Sequence, residues 1–163
     1  MLAAIDVGNT NIVMGFFEGD RLVCRFRVAS RASTTSDEYA CTLDGLMRMS
    51  GLGFSQIDEV CLASVVPRLT EVFTDLSRRF FEVTPLVVGP GTRTGISIAY
   101  ESPRDVGADR VVNAVAAHAR YATDLVIVDF GTATTFDAVS AQGEYLGGVI
   151  VRSEEHTSEL QSR

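Results

Sequence analysis

The chain has 163 residues, of which 46% are hydrophobic and 21% charged, and its formal net charge is -7. A hydrophobic fraction of this size supports a packed core and excludes a disordered segment. The negative charge argues against nucleic-acid binding through a broad basic face. No apolar run approaches the roughly 18 residues of a membrane span, and no signal peptide fits the N-terminus, so we expect a cytoplasmic protein without membrane partners.

Apolar runs separated by turn residues predict four strands and two helices in the first part of the chain. The strands are residues 2–7, 12–17, 21–28 and 57–64, and the helices are residues 36–49 and 67–81. Cys24, Cys41 and Cys61 are too far apart for a zinc motif, and their odd number argues against a disulfide framework. We therefore expect reduced thiols.

The second part begins with a brief predicted strand over residues 86–88, which Gly89-Pro90-Gly91 ends. Because proline lacks the N–H that an anion site would use, this segment is interpreted as a connection. Ser102, Pro103 and Asp105 are typical of a helix start, so a helix is predicted over residues 102–121. Further strands are predicted at residues 125–130, at 135–139 and from about Tyr145.

This order of elements predicts an α/β fold in layers. A short internal repeat predicts that a second, similar domain begins near Leu125. When Asp6 is aligned with Asp129, Ile5-Asp6-Val7-Gly8 falls on Val128-Asp129-Phe130-Gly131, and small hydroxyl or amide residues follow each segment. We therefore expect a first domain over residues 1–121 and the first strands of a second over residues 122–151.

The segment that follows the first strand has the features of a phosphate-binding turn. A carboxylate at the end of an apolar strand needs a cation, which makes Asp6 a candidate for holding Mg²⁺. Gly8 lets backbone approach a ligand, and Asn9 and Thr10 add donors for phosphate oxygens. One such hairpin is better explained as an ordinary turn. The second copy, at residues 129–132, instead favours two hairpins that grip one nucleotide.

Gly107, Ala108, Asp109 and Arg110 lie inside the predicted helix. A glycine in a helix interior costs about 1 kcal/mol relative to alanine, which is easier to explain if a group packs close to the backbone. Adjacent helical residues point about 100° apart, so Asp109 and Arg110 can face different groups, a hydroxyl and an anion. Taken alone, the tetrapeptide is better explained as a solvated helix face.

Two other residues give weaker signals. Tyr100 precedes the helix and either reaches the same cleft or is an aromatic residue on its rim. His118 lies nine positions after Asp109, and we expect it to be a surface or packing residue.

Four motifs occur in the order and at the spacing found in one known family. They are Asp6-Val7-Gly8-Asn9-Thr10-Asn11, Gly107-Ala108-Asp109-Arg110, Asp129-Phe130-Gly131-Thr132-Ala133-Thr134-Thr135 and Gly147-Gly148. Over residues 1 to about 151 the chain resembles the type III pantothenate kinases of the acetate and sugar kinase/Hsp70/actin superfamily. The resemblance implies ribonuclease-H-like (actin-like ATPase) domains with mixed sheets and flanking helices.

The resemblance also implies an activity and its components. The reaction is the ATP-dependent phosphorylation of pantothenate to 4'-phosphopantothenate, the first step of coenzyme A biosynthesis. The implied cofactors are ATP, Mg²⁺ and a monovalent cation, K⁺ or NH₄⁺, and the full-length protein is expected to be a homodimer.

Individual roles follow from the matched motifs. The first phosphate loop is matched by Asp6, Val7, Gly8, Asn9, Thr10, Asn11, Ile12 and Val13, and an ATP contact by Thr132. Positions that contact pantothenate are matched by Tyr100, Gly107, Ala108, Asp109 and Arg110. Within this set, Asp109 corresponds to the proposed base on the hydroxyl. Asp129 matches the ligand of the monovalent cation, and Asp6 would hold Mg²⁺ through water.

The chain departs from the family after Val151. Residues 152–163 resemble the in-frame translation of a sequencing adapter and are expected to be a non-native tail. We expect the chain alone to be inactive, with the apolar faces of its last strands uncovered at Val126, Val128, Phe136 and Val149.

Two other functions remain open. One is a nucleotide-binding transcriptional accessory factor of the same family, against which the intact Asp109-Arg110 pair favours an enzyme. The other is an actin-like or Hsp70-like ATPase, but those proteins lack the motif at residues 107–110.

Overall fold

The computed structural model describes residues 1–100 and 106–151. Its first sheet has five strands in the order β3-β2-β1-β4-β5. The strands are β1 (Leu2–Val7), β2 (Asn11–Glu18), β3 (Arg21–Ala29), β4 (Glu59–Ser64) and β5 (Leu86–Val87). The first three strands form an antiparallel meander, whereas β4 runs parallel to both β1 and β5.

Two helices cover one face of this sheet, α1 (Ser36–Met49) and α2 (Pro67–Phe80). The first begins at a capping box, in which Thr35 accepts from the backbone of Glu38 and the Glu38 side chain accepts from the backbone of Thr35. The second begins at Pro67, whose missing N–H would have no helical partner. The helices enclose the main core, whose fully buried members include Val7, Ile12, Phe16, Leu43, Leu62, Leu69, Phe73 and Leu76.

The second sheet has four strands in the order β6-β9-β8-β7. They are β6 (Ser97–Ile98), β7 (Leu125–Phe130), β8 (Thr134–Val139) and β9 (Glu144–Val151). The last three form an antiparallel meander, as β1, β2 and β3 do. The internal repeat therefore corresponds to repeated structure. The short β6, which the sequence analysis did not predict, pairs in parallel with β9.

The third helix, α3 (Ala108–Tyr121), lies between the sheets, where it contacts β4 of the first sheet and β7 and β8 of the second. The prediction that it continues through Gly107 from residue 102 is wrong, because Gly107 is the N-cap, with an extended backbone (φ -59°, ψ 145°). A Cβ at Gly107 would lie 2.4 Å from Asp109 Oδ1, so the glycine makes room for that carboxylate. Ser102, Pro103 and Asp105 lie outside the described residues.

The second sheet has a small core and an exposed apolar face. Ala114, Val139 and Tyr145 are its buried members. The predicted exposure of Val126, Val128, Phe136 and Val149 is confirmed, and Phe130 is 82% exposed. β7 is an edge strand, and within the described residues nothing covers its Val126 and Phe130 side.

The predicted division at residue 121 stays a prediction. Two observations bear on it: Ser97–Ile98, from before that point, pairs with β9, and α3 contacts both sheets.

In the part of the chain that the structure describes, no helix is both long and apolar enough to span a bilayer.

Candidate active site

The two repeated hairpins meet at their turns. In the first, the Gly8 N–H donates to the Asn11 carbonyl at 3.0 Å, and in the second the Gly131 N–H donates to the Ala133 carbonyl at 3.1 Å. The Oγ1 atoms of Thr10 and Thr132 are 2.6 Å apart. Residues 122 positions apart in sequence are thus in contact, as expected for two turns that face one ligand.

Strand β3 fixes the first turn through a residue that the sequence analysis missed. The Ser30 hydroxyl donates to the Gly8 carbonyl at 2.6 Å, and the Ser30 N–H donates to the Thr10 carbonyl at 2.9 Å. A lone serine after a strand matches no motif. The sequence therefore contained no sign that Ser30 lies beside the turn.

Not every residue of the matched loop can use its side chain on a ligand. Val7 and Ile12 are fully buried in the main core, so only their backbone is available. Asn9, Thr10 and Asn11 are exposed in the turn. Val13 is half-buried on β2 and pairs with Asp6 across the hairpin.

Three carboxylates lie near the paired turns. Asp6 is the last residue but one of β1, and Asp129 is the last residue but one of β7. Asp109 lies in the first turn of α3. Partial desolvation is the largest cause of the raised pKa of Asp6, and the negative charges of Asp109 and Asp129 raise that pKa further. The site therefore concentrates negative charge that a cation would relieve.

These carboxylates fit a metal held partly by water. Within residues 1–100 and 106–151, no group of three or more His, Cys, Asp or Glu side chains has the spacing of a metal cage. Mg²⁺ commonly keeps several waters and binds through one or two carboxylates together with substrate phosphates. The carboxylates of Asp6, Asp109 and Asp129 are oxygen ligands of the kind that this mode of binding uses.

Asp109 is held in place by its local backbone. Its Oδ1 accepts from the Arg110 N–H at 2.8 Å and lies in the space left by the missing side chain of Gly107. The structure thus gives Asp109 a defined orientation at the edge of the cleft.

Arg110 contacts a buried carboxylate on the second sheet. Its Nε donates to Asp137 Oδ1 at 2.7 Å, and its Nη2 lies 2.6 Å from the same oxygen. That Nη2 is buried and has no aligned acceptor among the described residues. Tyr145 also donates to Asp137 Oδ1, at 2.5 Å. Neither Asp137 nor Tyr145 was singled out by the sequence analysis.

The remaining candidates divide between the cleft and the second sheet. Tyr100 is 42% exposed and packs on Gly147, where a Cβ would approach its ring to 3.0 Å. Asn113 donates to Asp129 Oδ2 at 3.2 Å, so α3 reaches the second hairpin as well. His118 is a packing residue, as expected: its Nε2 lies 3.1 Å from the Ala141 carbonyl and its ring packs on Gly143.

Two similar meanders with their hairpins facing one carboxylate-lined cleft define a ribonuclease-H-like protein of the actin-like ATPase and sugar kinase class. Solved structures agree. A candidate 2-dehydro-3-deoxygalactonokinase of Sinorhizobium meliloti matches with TM-score 0.53 and 14% identity, over 92% of this chain and 53% of that one. A candidate N-acetylglucosamine kinase of Porphyromonas gingivalis matches with TM-score 0.52 and 14% identity, over 91% of this chain and 47% of that one. At these identities the similarity establishes the fold alone.

Sequence comparison identifies the family. The family description "Type III pantothenate kinase" matches residues 2–152, and the chain belongs to that family. Over 150 residues it is 56% identical to a type III pantothenate kinase of Geobacter sulfurreducens and 55% identical to those of Pelobacter propionicus and Moorella thermoacetica. These matches cover 92% of the chain but 59% of each relative. Each of these three relatives is named as a kinase.

Proposed function

We propose that the complete protein to which this chain belongs transfers the γ-phosphoryl group of ATP to the primary alcohol of pantothenate. The observation that carries the proposal is the meeting of the two hairpins beside Asp6, Asp109 and Asp129, in a chain of this family. Transfer of a phosphoryl group requires mainly positioning and neutralisation of charge, and paired turns around a carboxylate cleft are suited to both.

The hairpins would hold the phosphates. Backbone N–H groups and the hydroxyls of Thr10 and Thr132 are donors for phosphate oxygens, and their 2.6 Å contact means that one anion can reach both. Asp6 is the residue for Mg²⁺, held through water. A bound Mg²⁺ would offset the charge of the phosphates and of the three carboxylates.

Asp109 would act as the base. The alcohol oxygen of pantothenate forms a bond to the γ-phosphorus, the bond from that phosphorus to the ADP oxygen breaks, and the hydroxyl proton passes to the Asp109 carboxylate. The Arg110 N–H, which donates to the carboxylate, keeps it oriented for this step. A positioned base of this kind contributes roughly 10²–10⁴-fold in rate.

Arg110 would bind the carboxylate of pantothenate or the developing charge of the phosphoryl group. Its guanidinium pairs with Asp137 Oδ1, and 13% of the side chain stays exposed for contact with an anion. Tyr100, packed on Gly147 at the rim, would cover the same substrate.

The direct test uses a completed protein, made of residues 1–151 of this chain followed by the C-terminal part of the Geobacter sulfurreducens relative. We expect it to convert pantothenate and Mg-ATP to 4'-phosphopantothenate and ADP, detected by mass spectrometry and by coupled ADP release. A completed protein that is folded, binds ATP and leaves pantothenate unchanged would contradict the proposed substrate.

The monovalent cation gives a separate prediction. In the completed protein, we expect activity to require K⁺ or NH₄⁺, and Asp129→Ala to abolish the response to these ions. The reason is that Asn113 engages Oδ2 of Asp129 and leaves Oδ1 for a cation near the phosphates. The measurement is initial rate in K⁺, NH₄⁺ and Na⁺ buffers of equal ionic strength.

A matched control is Asp124→Ala, which removes a carboxylate directly before β7 that accepts from the Ala141 N–H. We expect this variant to keep its K⁺ response. Equal rates in Na⁺ and K⁺ for the parent protein would remove the monovalent cation from the proposal.

The raised pKa of Asp6 predicts an effect on stability. Because the folded protein binds this proton more tightly than the unfolded chain does, the contribution of Asp6 is most favourable below its ordinary pKa of 3.8 and is lost as the pH rises through the folded value. At pH 7, Asp6→Asn should therefore raise Tm. Below about pH 3.8 the difference in Tm should disappear.

Thermal unfolding of the completed protein with and without Mg²⁺ checks this prediction. We expect Mg²⁺ with ATP to raise Tm more in the parent than in Asp6→Asn, because the variant has lost a carboxylate for the metal. Asp20→Asn, in the turn between β2 and β3, is the control and should leave Tm unchanged. An Asp6→Asn variant that is less stable than the parent at pH 7 would contradict the argument.

A homodimer is also part of the proposal, as the resemblance to the family implies, and light scattering of the completed protein tests it. A cytoplasmic location is proposed as well, because ATP is the phosphoryl donor.

A further inference from the structure

The second sheet contains a buried charged group that the proposed reaction does not use directly. Asp137, on β8, is 1% exposed. Burying a carboxylate is costly unless charged or hydrogen-bonding partners compensate. Arg110 and Tyr145 both contact its Oδ1, and Thr135 Oγ1 lies 3.4 Å from its Oδ2. Tyr145, also 1% exposed, has a raised pKa through burial and through the Asp137 charge, so its hydroxyl stays a donor.

The surrounding backbone is shaped to accept this cluster. Gly148, on β9, pairs with Asp137 across the sheet. A Cβ at Gly148 would lie 2.4 Å from Arg110 Nη2, 2.6 Å from Asp137 Oδ1 and 2.1 Å from the Phe136 carbonyl. Only glycine leaves room for the Arg110 guanidinium at this point of β9. The ion pair between Arg110 and Asp137 therefore requires a glycine at position 148.

This cluster joins the second sheet to the first turn of α3. Arg110 follows Asp109 directly, and its N–H donates to the Asp109 carboxylate. Its side chain, which is 13% exposed, is anchored on β8 by Asp137. The helix also contacts β4, beside β1, so it lies between the sheet that carries Asp6 and the sheet that carries Asp129.

We propose that Asp137, supported by Tyr145 and Gly148, is a positioning residue of the active site: by anchoring Arg110 it fixes the first turn of α3 and hence the place of the Asp109 carboxylate relative to the paired hairpins. The inference rests on the proposed function, in which Asp109 is the base. A displacement of about 1 Å in a reacting group can lower the rate 10²-fold, so a residue that never touches substrate can control kcat.

Two variants test the inference in the completed protein. Asp137→Asn keeps the shape and the acceptor oxygen but removes the charge, and Tyr145→Phe removes only the buried hydroxyl. We expect Asp137→Asn to lower kcat at least about tenfold and Tyr145→Phe to lower kcat by a smaller factor. In both variants KM for ATP should stay within about twofold of the parent value, because the hairpins that hold ATP are unchanged.

The matched control is Ser77→Ala. It also removes one buried hydroxyl donor, which in Ser77 bonds to the Phe73 carbonyl at 2.7 Å in the main core. A purely structural role predicts that Tyr145→Phe and Ser77→Ala, at equal loss of Tm, have equal and small effects on kcat. Folded Asp137→Asn and Tyr145→Phe variants that both keep the parent kcat would overturn the inference.

A second measurement does not depend on activity. In the 163-residue chain, hydrogen exchange of the α3 amides is compared between the parent and Asp137→Asn. We expect faster exchange at residues 110–113, where the Val111 N–H bonds to the Gly107 carbonyl, and unchanged exchange at residues 117–121. Unchanged exchange at residues 110–113 would overturn the anchoring role. An inactive completed protein with this exchange difference would refute the proposed function but leave the anchor established.

Discussion

Replacing Asp109 with asparagine in the completed protein is expected to lower kcat at least about 10²-fold, while ATP binding changes little. Asparagine keeps the shape of the side chain and can still accept from the Arg110 N–H, but it cannot take the hydroxyl proton. The measurements are steady-state rates of pantothenate phosphorylation and calorimetric titration with Mg-ATP.

Asp44→Asn provides the matched control for this substitution. Asp44 lies on α1, is paired with Arg48 and is remote from the cleft, so its loss should leave kcat unchanged. Near-normal turnover of Asp109→Asn would remove Asp109 from the role of base, even if the completed protein is an active kinase.

The 163-residue chain on its own is expected to show less than a tenth of the turnover of the completed protein, and we expect its rate to fall below detection. The chain spans 59% of the length of the relatives that it matches, and under the proposed function the cleft would need groups from both domains. The exposed apolar face of β7 and β9, which includes Phe130 and Val149, also favours self-association of the chain.

The experiment compares both proteins at equal concentration for ATP-dependent phosphorylation and for size by light scattering. A mild detergent added to both distinguishes inactivity caused by aggregation from inactivity caused by missing groups. Turnover of the monomeric chain within tenfold of the completed protein would mean that the remaining part is dispensable.

Elements with strong local signals were predicted well from sequence. Ser36–Met49 and Leu125–Phe130 have the predicted bounds because a capping residue or a continuous apolar run marks each of them. The two-residue β6 was missed, since Ser97–Ile98 has no signal of its own and is a strand only because β9 lies beside it. The start of α3 was misplaced because residues 102–105 resemble a helix start, whereas the observed N-cap is Gly107.

The candidate site shows the same limit. Aspartate and glycine motifs identified the residues around the cleft, because their chemistry is visible in short segments. The partners of those residues were not visible: Asp137 follows Asp129 by eight positions and reads as an ordinary polar residue of a strand. Its importance comes from a contact with Arg110, 27 positions away, which only the packing of α3 on β8 creates.

The contact between Thr10 and Thr132 bears on how a nucleotide would bind under the proposed function. It joins two turns that belong to different sheets, so the two sheets are linked at these turns by a hydrogen bond between side chains. A hydrogen bond between neutral groups contributes only about 0.5–1.5 kcal/mol net, which thermal motion overcomes readily. Under the proposed function, phosphate oxygens would offer both hydroxyls new partners, so separating the two turns would add little to the barrier for nucleotide binding.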